Sequence, residues 1–382
     1  MKKFLAIVVA LMMALSLAAC AAPAAQEEAP AEEGTAAEGT APAEAAPAEG
    51  AKNYKIACVI PSGDHGFTGE SVAHCKMEAE ELMKKYEGLE IVVKDGLEAS
   101  DQITSIENLI AGGDVDLIML WPMEGEALRS AAQTIIDAGI ELVIYDRLIN
   151  NFEGLVGEIM GDNVGIGNMM GEWLNTYYAD MDKVQYLRFV GDSSTVTSQR
   201  SDGMDATLDG DKFEQVAETF VTDWSTEKSQ NLMEEWLNAH TAEEVAALDL
   251  IVTHDDEIVD GLMNALEAYT GEVNVKVITS VGGREATMQK FENTKTGIKF
   301  TTFFFAPSFI REAMRLSVAH LYGEEYTGAN LVDGQYLIPS FSISNAGGAD
   351  MDFAAYRASD IYAERYSIGK CYSRHPARPD VP

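Results

Sequence analysis

YKIACVI (54–60), LEIVVK (89–94), DLIMLW (116–121) and ELVIYD (141–146) are short, nearly continuous apolar runs rich in β-branched residues. Helical patterns over 69–86, 101–111 and 125–138 fill the gaps between them, with Gly139 as a C-terminal stop. Strands that are apolar on both faces and separated by single helices predict a parallel sheet covered on both sides. The alternation then restarts. KVQYLRFV (183–190), VAETFV (216–221), LDLIVT (248–253), VKVITS (275–280) and KFTTFFF (299–305) alternate with helical patterns over 163–177, 227–239, 256–269, 284–292 and 308–322. The expected fold is therefore α/β, with two doubly wound parallel-sheet lobes in tandem.

Such sheets bind ligands in the crevice outside the carboxyl ends of their strands. The residues at those ends are polar and aromatic: GDHGFTGE (63–70), Asp146 and Arg147, Asp162 and Asn163, DSSTVTSQR (192–200), TDWST (222–226), THDDE (253–257), SVGGRE (280–285) and FFFAP (303–307). Carboxylate, amide and guanidinium groups each offer two hydrogen bonds to vicinal hydroxyls, and aromatic faces cover the C–H patches of a sugar ring. The combination points to carbohydrate binding. Asp256 and Glu257 open a helical pattern, so Asp256 is read as a helix cap, whereas Asp255 precedes it and is expected to face the cleft.

The rest of the chain narrows the setting. Of its 382 residues, 47% are hydrophobic and 27 basic residues face 62 acidic ones, giving a net charge of −35. A body this negative repels phosphate backbones, which excludes nucleic acid as a partner. The N-terminus carries Lys2 and Lys3, then an apolar run over 4–17 ending in LAAC (17–20), too short for a comfortable membrane span. It reads as a signal peptide. From Ala21 to Ala51 the chain is almost wholly Ala, Pro, Glu, Gly and Thr, with seven Glu and no Lys or Arg, a composition suited to a self-repelling tether.

Three further cysteines, Cys58, Cys75 and Cys371, are too few for a disulfide framework. His74 beside Cys75, and Cys371 near His375, lack a second pair at ligand spacing, so neither metal nor cofactor is expected. The run Asp202, Asp205, Asp209 and Asp211 lacks the spacing of a calcium loop and reads as a solvated helix face. GDNVGIG (161–167) lacks the order of a dinucleotide loop. With no G-x-S-x-G elbow and no phosphate loop either, an enzyme is not expected.

YDRLIN (145–150) followed by GDNVGIGNMMGEWL (161–174) resembles the type 1 periplasmic sugar-binding proteins of ABC importers, particularly the ribose- and xylose-binding members. The similarity runs from about Tyr54 to about Ser344. It implies a hinge-closing receptor that captures a monosaccharide without catalysis and delivers it to a membrane permease, working as a monomer. A receptor that reports a sugar, cyclic polyol or furanosyl ligand to a membrane sensor is the alternative. LAAC resembles a lipobox, which implies lipidation of Cys20 and an anchor on the outer face of the cytoplasmic membrane. The implied boundaries are 1–19 for the signal peptide, 20–52 for the tether, 53–161 with 306–337 for the N-terminal lobe, and 162–305 with 338–382 for the C-terminal lobe.

By position, the resemblance implies ligand contacts from His65, Phe67 and Thr68 in the first-strand loop and from Asp146 and Arg147, which grip ring hydroxyls. Asp162 and Asn163 fall at the first hinge crossing, Arg200 and Trp224 supply the second lobe's arginine and stacking aromatic, and Asp255 adds an acid. Two positions depart from the pattern: Gly282 stands where an Asp is usual, and Phe305 where a polar residue is usual. Arg284 is expected to make up the missing polar contact, favouring a ligand that differs from ribose at one or two hydroxyls. The tail over 345–382 receives no role.

Overall fold

A computed structural model describes residues 53–63 and 66–367. The readings made for the signal peptide, Cys20, the tether, His65 and Cys371 fall outside the described residues. The first alternation folds as β1 (Tyr54–Pro61), α1 (Gly66–Lys85), β2 (Leu89–Gly96), α2 (Ala99–Gly112), β3 (Leu117–Leu120), α3 (Gly125–Asp137), β4 (Glu141–Tyr145) and β5 (Gly157–Gly161). Along β1 every residue from Ile56 to Ile60 is buried, and the pleat sends Ile56, Cys58 and Ile60 to one apolar layer and Ala57 and Val59 to another. That is why the run shows no polar alternation. Cys58 and Cys75 are both buried and free of a disulfide, and act as small hydrophobes.

The second alternation gives α4 (Asn163–Tyr177), β6 (Val184–Val190), α5 (Thr195–Thr207), β7 (Phe213–Gln215), β8 (Phe220–Val221), α6 (Thr226–Ala239), α7 (Ala242–Ala246), β9 (Leu250–Thr253), α8 (Asp256–Ala268), β10 (Val277–Gly282), α9 (Glu285–Asn293) and β11 (Lys299–Phe304). Two features differ from expectation. Of the strand read over 216–221 only Phe220–Val221 pairs as a strand, and β7 lies before it unread; between the two the Gln215 amide donates to Ala217 O (2.8 Å) and Thr219 Oγ1 (3.1 Å). Helix α5 escaped the periodicity because its buried face is Val196, Arg200, Gly203 and Met204, only half of it apolar.

The chain then forms a short 3-10 turn and α10 (Ile310–Tyr322), β12 (Asn330–Val332), β13 (Gln335–Ile338), β14 (Ser342–Ser344), α11 (Phe353–Arg357) and α12 (Asp360–Arg365). The first sheet has the order β12-β13-β5-β4-β3-β1-β2 and the second β14-β11-β10-β9-β6-β7, with β8 also on β6. Pairing is parallel except for the β12–β13 hairpin and for β14 on β11. Chain order reverses between β1 and β3 in one sheet and between β6 and β9 in the other, so each sheet has a switch-point crevice. The chain passes from one sheet to the other after β5, after β11 and after β13.

The tail is integral to the second sheet's layer. Phe353 and Tyr356 are buried, Tyr366 OH accepts from Glu285 N (2.7 Å), and Arg357 pairs with Glu285 (3.0 Å) and Glu292 (2.7 Å). No helix among the described residues is long and apolar enough to cross a membrane.

Candidate functional site

The turn leaving β4 sets one side of a cleft. Asp146 has φ of 65°, a left-handed conformation that non-glycine residues adopt at a cost and that aspartate tolerates better than most. Two bonds hold it there, Asp146 N to Ile159 O and Arg147 N to Tyr145 O, both 2.9 Å. The carboxylate is buried. Its Oδ2 accepts from Trp121 Nε1 (3.0 Å), while Oδ1 has no partner among the described residues. Burial raises its pKa, against the pull of Arg147, Arg200 and the indole bond. A buried oxygen left open in this way is a place for a ligand's donor.

The opposite side is built on α4 and α5, whose backbones meet through glycine. A Cβ on Gly167 would run into the backbone at Arg200 and Met204, and one on Gly203 into that at Val164. The glycines of 161–171 therefore serve helix contact rather than phosphate binding. This contact brings Arg200 beside Asn163: Nε donates to Asn163 Oδ1 (2.9 Å) and Nη1 to His254 O (2.7 Å). The guanidinium is 3% exposed, and burial lowers its pKa to about 10 despite nearby Asp146 and Asp255. It stacks over Phe305 at 4.5 Å, with the Trp224 ring 6.0 Å away, and its remaining N–H groups stay free of those two bonds.

Trp224 and its neighbour Asp223 are both left-handed, with φ of 61° and 51°. The indole lies over the end of β6, where only glycine fits, since a Cβ on Gly191 would collide with the ring. Just beyond, Asp192 Oδ2 pairs with Arg147 Nη2 across the cleft at 3.2 Å, and Arg147 also donates to Met123 O. Burial works to raise the Asp192 carboxyl, but Arg147 and Ser194 help hold it below its ordinary value. Asp255 caps α8 by accepting from Glu257 N (2.7 Å); burial, with Glu257 and Asp256 beside it, pushes its pKa up to about 8.

These groups enclose a cleft with about 530 Å³ of space between their atoms, including its open mouth. Of the residues read from sequence, Phe67, Thr68, Asp146, Arg147, Arg200, Trp224, Asp255 and Phe305 line it. Asn163 stands behind Arg200 as its brace. Asp162 is instead the cap of α4, accepting from Gly165 N (2.8 Å), and lies off the cleft lining. Arg284 also lies off it, at the start of α9, where Asp260 holds its guanidinium at 2.6 Å.

The helix cap differs by one residue from the reading made above. Asp255 is the cap, and Asp256 is buried, accepting from Arg284 N (2.6 Å) and Thr302 Oγ1 (3.0 Å). A Cβ on Gly282 would meet that carboxylate, so the missing acid at 282 has its space filled by Asp256. Three lining residues went unread: Trp121, Val196 and Glu257. Trp121 directly follows β3 and obeys the strand-end rule, whereas Val196 carries no signal of its own.

A profile of the periplasmic binding protein domain family matches residues 56–325, and the chain belongs to that family. The family is one of solute-binding proteins rather than enzymes. The D-xylose-binding periplasmic protein of Haemophilus influenzae is 24% identical over 212 residues, 54% of this chain and 59% of the relative. The ribose import binding protein of Bacillus subtilis is 25% identical over 193 residues, 50% of this chain and 60% of the relative. The chain thus spans about three-fifths of the length of these curated relatives. Among solved structures, an ABC transporter solute-binding protein from Clostridium phytofermentans with bound β-D-glucose superposes with a TM-score of 0.67 at 20% identity, covering 82% of this chain and 98% of that one. That likeness is one of fold: two parallel-sheet lobes.

Proposed function

We propose that this periplasmic binding protein captures a monosaccharide or a related cyclic polyol in the cleft between its two sheets and delivers it to the permease of an ABC transporter. The observation that carries the reading is the convergence, from opposite sides of the cleft, of a buried carboxylate with one open oxygen, Asp146, and a stacked guanidinium, Arg200, with more donors than its bonds to Asn163 and His254 use. Vicinal hydroxyls donate to the first and accept from the second, and Phe67, Trp121 and Trp224 offer apolar ring surface to C–H groups. The curated relatives, named for xylose and ribose, support the ligand class.

Closure follows from the same geometry. A ligand touching both sides gains contacts in the closed state that it lacks in the open one, and that difference shifts the equilibrium toward closure. Outside the cytoplasm, Cys20 would carry the lipid anchor and the acidic stretch to Ala51 would hold the body away from the membrane. A thermal-shift screen of the protein against pentoses, hexoses and inositols tests the reading. A ligand at 100 times its dissociation constant adds about 2.7 kcal/mol of stability. A shift with one of them, lost in Asp146→Ala, is expected; a melting curve that no sugar or inositol moves would sink the proposal.

A further inference from the structure

Phe305 leaves β11 where a polar side chain was expected, and the structure shows what the ring does there. It stacks on Phe67 at the start of α1, with centroids 5.5 Å apart and planes at 26°, and meets Phe309 edge-on at 5.3 Å. Arg200 lies over it, and it presses against Gly161, where a Cβ would collide with it. Phe305 is 5% exposed and its ring is held by these neighbours, so it offers the cleft an apolar contact.

Part of the polar surface near the ring is already engaged. Two of Arg200's donors go to Asn163 and His254, and the Phe305 carbonyl accepts from Arg365 (3.4 Å). Phe67 continues the apolar wall to Trp121, edge-on at 6.2 Å. The wall runs beside the polar groups, since Trp121 donates to Asp146 Oδ2 and Arg200 lies on Phe305, but the Phe305 ring itself offers neither donor nor acceptor. A hydroxyl pushed against that wall surrenders water and gains no partner from residue 305.

We propose that Phe305 is a specificity-determining residue that selects a sugar or cyclic polyol whose edge against this wall carries hydrogen or methyl in place of a free hydroxyl, that is, a deoxy or O-methyl compound. The inference rests on the polyol-binding reading above and deepens it. An apolar pocket discriminates such pairs by about tenfold to a hundredfold.

Titration calorimetry on the protein with matched pairs tests it: D-galactose with D-fucose, L-mannose with L-rhamnose, and myo-inositol with its mono-O-methyl ethers. At least one deoxy or methylated member should bind tenfold or more tighter than its parent. Phe305→Gln should bring that ratio to one or below, and Phe305→Leu should preserve it. If every parent binds as tightly as its partner, the inference falls and the polyol reading stands. If Phe305→Gln leaves the preference intact, residue 305 is not its source and the assignment falls. Should neither variant fold, the wild-type pairs alone decide, and no saturable binding by any member would bring down both readings.

Discussion

Arg147 and Arg200 reach into one cleft from opposite sides, yet the protein holds them in different ways. Arg200 is embedded in the second sheet's side, braced by Asn163 and a main-chain carbonyl and stacked on Phe305. Arg147 sits on the turn after β4, bonded to Met123 O on its own side and to the Asp192 carboxylate on the other. Their chemistry is the same but their bracing differs. Under the proposed closure, opening the lobes would leave Arg200's brace intact and break the Arg147–Asp192 pair, which would make one arginine a fixed part of the cleft and the other a reporter of closure.

Removing Arg200 is the harshest way to test that contrast. Arg200→Ala strands Asn163 Oδ1 and His254 O and leaves the buried Asp146 with Arg147 as its remaining nearby cation. Leaving buried acceptors unsatisfied in this way costs roughly 1–3 kcal/mol each. Denaturant unfolding should show a loss of that order, and ligand affinity should fall more than a hundredfold. Arg200→Lys should fail similarly, since an ammonium cannot make both directed bonds and lie flat on a ring. A variant as stable as the parent would mean that the brace does not anchor this side.

Asp146→Asn comes next. Asparagine tolerates the left-handed backbone at 146, so the fold should survive with little change in melting temperature. One oxygen becomes an NH₂, which either faces the Trp121 indole donor or replaces the open oxygen offered to the ligand. Either outcome wastes a donor against a donor. Calorimetry should show affinity reduced by about tenfold to a hundredfold, in line with the cost of unpaired buried polar groups; unchanged affinity would remove Asp146 from the ligand's contacts.

These two residues also show what was legible beforehand. The strand-end rule needs only an apolar run and the polar residue after it, and it found Asp146, Arg147, Trp224 and Asp255. It also covered Trp121, passed over because tryptophan reads as a strand residue. Asp162 and Arg284 show where the rule stops. Both sit near strand ends, but whether a side chain turns to the cleft or back to its own helix depends on local partners, Gly165 N for one and Asp260 for the other. Glu257 was hidden by its place in a helix opening. The glycines at 167 and 203 were unreadable for another reason: what they fit is the backbone of a helix distant in sequence.

Asp255 separates the fixed side from the closing one by pH. Its folded pKa, about 8, lies above the ordinary carboxyl value of 3.8. Between those two values the folded state holds a proton that the unfolded state releases, so this group's contribution is full below about pH 4 and is lost as pH rises through about 8. The melting temperature should therefore decline from pH 5 to 9, and Asp255→Asn, which keeps a capping oxygen, should flatten the decline. A slope unchanged by the substitution would place its origin elsewhere.

The smallest effect expected is that of the pair across the cleft. Arg147 and Asp192 side chains are 17% and 26% exposed, so solvent screens their attraction and a coupling of only about 0.5–1 kcal/mol is expected. The Asp192 pKa is lowered, so the pair is intact at neutral pH and weakens only as acid protonates that carboxylate. A double-mutant cycle of Arg147→Ala and Asp192→Asn, read as the open fraction of ligand-free protein by small-angle scattering, isolates this coupling from Arg147's bond to Met123. Each single change should favour the open form, and the double should add little to the larger of them. High salt should shrink the difference between the parent and Asp192→Asn, because the Debye length falls to about 3 Å at 1 M. Fully additive effects would mean that Arg147 acts through its own lobe, and the contrast with Arg200 would then be one of burial alone.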